Sequence, residues 1–262
     1  MIDLHCHYLP GVDDGAENLE EALELVAAAA ANGIRHAVLT PHVHPGRYEN
    51  TLSSLQPLFD ELVVAVDRAG LEIELSLAGE VRLLPESLAL LAANELPMLG
   101  YWGGTPIVLL EFPHDRIPFG AHEAIEFLQT QGVLPMIAHP ERNKDVMRDW
   151  RRIQPFVEQG CLLQLTAASV CGYFGPAPQI SAERLLSQGW VSVIATDAHN
   201  MRSRPPVLAE GRAAIEHRYG ATAAALLTEV NPARIIGRVE DQSQQQLATG
   251  AAASVQPNAL RS

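Results

Sequence analysis

The chain has 262 residues, an apolar fraction of 47% and a formal net charge of −13. That length suits one large domain with an ample core, and the acidity excludes general affinity for nucleic-acid backbones. No apolar stretch reaches the ~18 residues of a membrane span, and three cysteines at unrelated spacings make no disulfide framework. No basic-then-apolar leader is visible at the N-terminus, so the cytoplasm is the expected compartment.

Strand and helix patterns then alternate along the chain. A strand over 2–7 is followed by a helix that starts at Asn18, with Glu21 completing a capping box. That helix shows Leu19, Ala22, Leu23, Val26, Ala27 and Ala30 on one face and stops at Gly33. Next come a strand ending at His42, a helix over 53–69 ended by Gly70, a strand ending at Glu80 and a short helix over 85–94. The pattern continues with strand 106–111, helix 120–131, strand 133–138, helix 146–159, strand 161–166, helix 181–188 and strand 190–196. Helices over 206–219 and 221–228 complete it. Residues 1–238 are thus read as one domain. Residues 239–262, rich in Gln and Ala and without periodicity, are read as a flexible tail.

Repeated strand–helix units imply a parallel sheet. Seven strands favour a closed, distorted (β/α)7 barrel over an open doubly wound sheet, and no Gly-rich dinucleotide fingerprint follows any strand. In such a barrel the C-terminal strand ends converge on one face, where active sites sit. Six of the seven apolar runs end in His, Asp or Glu: His5 and His7, His42, Glu80, Glu111, His139, and Asp197 with His199. With Asp14, these make nine nitrogen and oxygen donors on one rim, enough for more than one metal ion. His5 and His7 alternate by two, so on a strand both face the same side. Asp197 and His199 repeat the spacing. Glu80 and Glu111 close apolar runs where an unpaired carboxylate is costly to bury; either a metal or a salt bridge to an arginine removes that cost. Asp14, in Val12-Asp13-Asp14-Gly15, either ligates metal or helps form the turn before the first helix.

His36, His122 and His217 read as structural, whereas His44 and His114 lie in loops near ligands. Cys6 should face away from its histidine neighbours, and no cysteine has the arginine six residues later that a thiolate phosphatase loop needs. The mixed His and carboxylate set suits Mn²⁺, Fe²⁺ or Zn²⁺. Arg142 and Arg204 follow ligands closely; a guanidinium fork on the metal face would bind phosphate oxygens, and the alternative for each is a salt bridge to a nearby carboxylate.

These motifs, in this order, resemble the polymerase and histidinol phosphatase (PHP) superfamily. Met1-Ile-Asp-Leu-His-Cys-His7, Val12-Asp-Asp-Gly15, Ala78-Gly-Glu-Val81, Ala138-His-Pro-Glu-Arg142, Ala195-Thr-Asp-Ala-His-Asn200, Arg204-Pro-Pro206 and Asn231-Pro232 narrow the resemblance to one branch. That branch is the manganese-dependent protein-tyrosine phosphatases of bacterial capsule and exopolysaccharide loci. The resemblance implies a seven-stranded distorted barrel holding two or three divalent ions, Mn²⁺ foremost. Its implied substrate is the phosphotyrosine tail of a bacterial tyrosine autokinase; no nucleic acid or membrane insertion is implied. It implies one metal at His5, His7, Glu80 and Asp197, a second at Asp14, His42 and His199, and a third at Glu80, Glu111 and His139. Arg142 and Arg204 match its phosphate-binding arginines. The sequence departs from the branch at Thr166-Ala167, where an Asn is expected, and at Val43-His44-Pro45-Gly46, where a basic stretch is expected.

The chemistry expected of such a site is phosphomonoester hydrolysis by a metal-bridging water made available as hydroxide near neutral pH. A phenolate leaving group, with a reference pKa of about 10, needs little protonation; His42 and His199 are the candidate proton donors. The alternative substrate is a small phosphomonoester of the histidinol-phosphate type at the same metal site.

Overall fold

The computed structural model describes residues 1–238, so the expected tail over 239–262 lies outside the described residues. The architecture is a ring of parallel strands jacketed by helices. β1 (Ile2–Cys6) pairs with β2 (His36–Leu39), and β2 with β4 (Glu74–Leu77). β3 (His42–Val43) pairs with β5 (Glu80–Arg82), which pairs with β7 (Thr105–Glu111). β8 (Leu134–Ala138), β9 (Leu162–Thr166) and β10 (Val193–Ala195) follow in order. The second and third barrel strands are therefore each broken in two. His42 and Glu80, read from sequence as strand ends, instead open the second halves. Pro41 interrupts one strand and Gly79 the other, and a Cβ at Gly79 would meet Val43 and Pro97 at 2.9 Å.

The ring closes between its last and first strands at the C-terminal rim. There the Asp197 N–H donates to the His5 carbonyl (2.7 Å) and the His7 N–H to the Ala198 carbonyl (2.8 Å). Below these bonds the rung is a side chain. The buried Asp3 carboxylate accepts from the Thr196 N–H (2.9 Å), the Thr196 hydroxyl (2.5 Å) and the His5 N–H (3.4 Å). Burial raises the Asp3 carboxyl to about 6 even against these donors.

Side chains alternate as a closed barrel requires. Leu4, Val38, Ile107, Leu109, Met136 and Val193 fill the interior. Ala37, Leu39, Val108, Leu110, Ile137, Leu163, Leu165 and Ile194 face the helical jacket with Leu25, Leu55, Leu62, Ile125 and Leu128. Cys6 joins the outer layer, as its alternation with His5 and His7 predicts, and its thiol donates to the Val38 carbonyl.

The helices differ from expectation mainly at their ends. α1 (Leu19–Ala31) is capped by Asn18, but the Glu21 carboxylate accepts from the Glu17 N–H rather than from the cap residue. α2 (Leu52–Arg68) and α3 (Pro85–Ala92) match closely, as does α4 (Ala121–Thr130). The expected helix over 146–159 is instead α5 (Lys144–Arg148), a 3₁₀ turn at Trp150–Ile153 and α6 (Gln154–Glu158). The Asp149 side chain caps the 3₁₀ turn, and Pro155 starts α6. The short α7 (Ala167–Val170) and the strand β6 (Gly100–Trp102), antiparallel to β7, lack a clear periodic signal. α8 (Pro176–Ser187) begins five residues earlier than its apolar pattern, because Pro176 supplies the start. α9 (Leu208–Tyr219), α10 (Ala221–Ala225), a π turn and α11 (Asn231–Ile235) complete the described chain. No helix among the described residues is long and apolar enough to cross a membrane.

The Asp3 rung generates a stability prediction. Asp3→Ala orphans the Thr196 donors between the first and last strands, at a cost of about 1–3 kcal/mol. Urea unfolding should show a lower midpoint with an unchanged slope; an unchanged midpoint would remove Asp3 from the closure.

Candidate metal centre

The rim gathers all nine predicted donors. Each His5 and His7 ring is fixed from behind. The His5 Nδ1 lies 2.9 Å from the Gln164 Oε1, and the His7 Nδ1 lies 2.7 Å from the Asp13 Oδ2. Both acceptors demand an N–H, so in the neutral rings both Nε2 atoms carry lone pairs. Those two atoms face each other at 3.2 Å. The Asp197 Oδ1 stands 3.3 and 3.5 Å from them, and the Glu80 Oε2 3.4 Å from each. Four buried electron-pair donors thus point into one space, which is repulsive unless a cation sits among them.

Three groups of donors have the spacing of metal sites: His5, His7, Glu80 and Asp197; His7, Asp14, His42 and His199; and His42, Glu80 and Glu111. The first matches the expected set. The second adds His7 to the expected Asp14, His42 and His199, and in this structure Asp14 faces His42 at 3.2 Å and His199 at 3.6 Å. The third contains His42 where His139 was expected. His139 lies beside it, its Nε2 2.6 Å from the Glu80 Oε1. Glu111 also pairs with Arg82 at 2.9 Å, so metal-site spacing and an arginine partner coexist there. Glu80 Oε2, Asp197 Oδ1, His42 Nδ1 and His199 Nε2 are buried without an aligned hydrogen-bond partner. The donor set, hard carboxylates with imidazoles, fits Mn²⁺, Fe²⁺ or Zn²⁺.

The electrostatics also call for positive charge. Burial opposes ionisation of His7, yet Asp13, Asp197 and Glu80 hold it well above the ordinary histidine value. Burial likewise opposes charge on His42, but chiefly Glu80 and Asp14 raise it to about 10. His199 and His139 are held neutral by burial, at about 4 and about 3. A metal ion would supply the missing charge and displace the protons. His42 has Glu80 at one ring nitrogen (2.9 Å) and Asp14 at the other (3.2 Å), so it is committed to the centre rather than free as a proton donor.

Backbone strain marks the site. His139 (φ +31°) and Asp197 (φ +53°) are two of three non-glycine residues with positive φ among the described residues. Such geometry costs of order 1–3 kcal/mol each and persists where the surroundings over-determine it. The twist at His139 starts the 3₁₀ turn Pro140–Arg142, which brings Arg142 back over the site. The Arg142 and Arg204 guanidiniums both meet the Asp197 Oδ2, at 2.6 and 2.5 Å. Against the effect of burial, Arg142, His5 and Arg204 hold Asp197 well below the usual carboxylate range. Gly15 allows Asp13 and Asp14 their approach, since a Cβ there would lie 2.7 Å from the His7 Cβ.

Four further residues complete the site. Asp13 and Gln164 orient His7 and His5, and the Asp13 Oδ2 also accepts from the His42 N–H (2.9 Å). Gln164 had a visible signal, as a lone amide inside the apolar run of β9, and Asp13 had one as the neighbour of Asp14. Arg82 and Tyr48 had none. Thr166 is buried at the end of β9 with its N–H donating to Glu141 (3.0 Å). The site cavity, about 410 Å³, is lined also by His44, Arg47, Tyr48, His114 and Asp115. The three histidines read as structural lie elsewhere: His36 bonds Ser76, His122 bonds Gln159, and His217 lines a separate groove.

Three outcomes follow. Mn²⁺ added to metal-stripped protein should raise stability by about 2.7 kcal/mol at a hundredfold excess over Kd, and a chelator should reverse it. Asp197→Asn should remove that stabilisation; an undiminished shift would exclude Asp197 from the centre. Gln164→Ala should weaken Mn²⁺ binding by roughly 10–100-fold while the protein stays folded; unchanged affinity in calorimetry would deny Gln164 its orienting role.

Known proteins resemble this chain along most of its length. The tyrosine-protein phosphatase YwqE of Bacillus subtilis is 33% identical over 229 residues, covering 87% of this chain and 89% of that protein. The tyrosine-protein phosphatase CpsB of Streptococcus pneumoniae is 28% identical, covering 90% and 98%. Among solved structures, one from a study of YwqE and CpsB, described as metal-dependent tyrosine phosphatases, superimposes with a TM-score of 0.84. It shares 31% identity over 91% of this chain and 95% of that one. A phosphotriesterase homology protein from Escherichia coli, at 13% identity and a TM-score of 0.53, shares the fold alone. The family model for capsular polysaccharide synthesis proteins CpsB/CapC matches residues 1–237, and the chain belongs to that family.

Proposed function

We propose that this protein is a metal-dependent protein-tyrosine phosphatase using Mn²⁺, with His5, His7, Asp14, His42, Glu80, Glu111, His139, Asp197 and His199 holding two or three ions. The observation that carries this reading is the convergence of Arg142 and Arg204 on Asp197, beside two lone-pair-bearing histidines. A phosphoryl group fits where cationic forks and a metal cluster face one space.

Bound divalent ions supply Lewis acidity and a water of lowered pKa. The chain's own residues do the rest. Arg142 and Arg204 bind and orient the phosphoryl oxygens and offset charge that develops on them. Arg142 is steadied by the Phe174 ring, 5.4 Å from its guanidinium carbon, and by the Asp197 carboxylate. Gln164 and Asp13 keep the His5 and His7 Nε2 atoms turned inward. Tyrosine leaves as a phenolate, so no residue need deliver a full proton.

The family's link to capsular polysaccharide synthesis and the names of the relatives support a substrate that is the phosphotyrosine tail of a bacterial tyrosine autokinase governing polysaccharide assembly. This reading places the enzyme in the cytoplasm, where such a kinase draws its ATP.

The test is phosphate release by metal-stripped protein resupplied with Mn²⁺, from a tyrosine-phosphorylated peptide beside histidinol phosphate. Release from the peptide, abolished by chelation, is expected. Release from histidinol phosphate alone would overturn the protein-phosphatase reading and assign a small-molecule phosphatase. Arg204→Ala should lower kcat/KM for the peptide by about 10²–10³; unchanged kinetics would remove Arg204 from phosphate binding.

A further inference from the structure

Four arginines line the cavity at the metal centre, and the mechanism above uses only Arg142 and Arg204. The other two come from the end of β5 and the loop after β3. Arg82 ends β5, its side chain 20% exposed, with one guanidinium nitrogen 2.9 Å from the Glu111 Oε2. Arg47 lies in the loop after β3, its guanidinium carbon 4.9 Å from the centroid of the Tyr48 ring. Tyr48 in turn stacks on His42, with centroids 5.5 Å apart and planes within 6°. The loop is a built turn rather than a loose arm. The His44 N–H donates to the Tyr48 carbonyl (3.0 Å), the Tyr48 N–H donates back to the His44 carbonyl (2.7 Å), and Gly46 takes φ +84° between them. Arg47 is therefore held over the mouth from a fixed platform resting on a metal-site histidine.

The opposite side of the mouth carries the opposite charge. A second cavity of about 460 Å³ adjoins the first at Asp14 and is lined by Glu17, Glu21 and Glu24 facing Met201 and Arg202. The rim thus carries Arg47 and Arg82 after the second and third barrel strands, with Asp115 also in the cavity lining, and is mainly anionic between the loops after the first and last. On a chain of net charge −13, a pair of arginines placed over the site stands out from the surrounding field.

A phosphotyrosyl group whose phosphate reaches Arg142 and Arg204 carries its backbone at this rim, so residues flanking it pass over the loops. We propose that Arg47 and Arg82 form a specificity site for an acidic side chain adjacent to the phosphotyrosine, fixing the direction in which the polypeptide crosses the mouth. The inference rests on the phosphotyrosine reading and adds a sequence preference to it. A carboxylate there gains two guanidinium partners, whereas a lysine meets two like charges. Exposed ion pairs of this kind act through KM and are screened by salt.

The experiment compares three phosphotyrosine peptides that differ only in the residues flanking phosphotyrosine, Glu, Gln or Lys, with p-nitrophenyl phosphate alongside, all with Mn²⁺. The Glu peptide should have a KM about threefold to fivefold below the Gln peptide, with kcat alike, the Lys peptide should be poorest, and the spread should shrink in 0.5 M salt. Arg47→Ala and Arg82→Gln are read as the Glu-to-Gln ratio, which a general loss of activity leaves unmoved; each should bring the ratio towards unity. A ratio of one in the unaltered protein, or a ratio that survives both substitutions, would overturn the specificity site while leaving the phosphotyrosine reading standing. Hydrolysis of p-nitrophenyl phosphate with no turnover of any peptide would overturn both.

Discussion

The structure depends on one electrostatic constraint: among four buried lone-pair donors, the His5 and His7 Nε2 atoms lie 3.2 Å apart and each stands 3.3–3.5 Å from the Glu80 Oε2 and the Asp197 Oδ1. Two carboxylates and two imidazoles cannot share so small a space without positive charge among them. The rest of the rim is arranged around that demand. Gln164 and Asp13 hold the rings so that their lone pairs turn inward rather than away. His42 and His139 press on Glu80 from two sides. Protons on His7 and His42 meet part of the demand; divalent ions, with more charge in less volume, meet it fully.

The barrel makes this possible by closing where the donors are. Asp197 and His5 are joined by a backbone bond at the rim, so the first and last strands bring their ligands together because the ring itself is stitched there. Below that bond the Asp3 carboxylate replaces a ladder rung, holding Thr196 immediately before Asp197. The left-handed backbone at Asp197 then turns its side chain across the rim. Closure and donor geometry are one construction, because the Asp3 bonds to Thr196 and His5 lie next to Asp197 and within the His5-x-His7 pair.

Much of this was legible in the sequence for a physical reason. Buried parallel strands need near-continuous apolar runs, so a His, Asp or Glu at the end of such a run stands out. Six runs ending that way marked eight of the nine donors; Asp14, in the turn before the first helix, carried no such signal. The spacing His5-x-His7 and the neighbourhood of Arg142 and Arg204 were equally plain, because local alternation places them. What the sequence obscured was set by packing between distant segments. The breaks at Pro41 and Gly79, the substitution of His42 for His139 beside Glu111, and the pairing of Arg82 with that same carboxylate depend on how strands stagger around a closed ring. The three-part segment over 144–158 was masked because its apolar residues keep helical spacing while Asp149 and Pro155 divide it by capping. Asp3 lies inside the first apolar run, and only closure gives it a partner.

Asp197 joins the two halves of the chemistry. Its Oδ1 belongs to the metal-facing group and its Oδ2 to the two arginines, so one carboxylate, held ionised, sets the distance between the cluster and the guanidiniums. A carboxylate shared in this way balances opposing pulls. Metal charge on one oxygen weakens its hold on the arginines and leaves them freer to meet an incoming phosphate. The same logic applies across the cavity, where Glu111 stands between a metal-spaced group and Arg82. In both places a carboxylate with metal-site spacing is also held by an arginine.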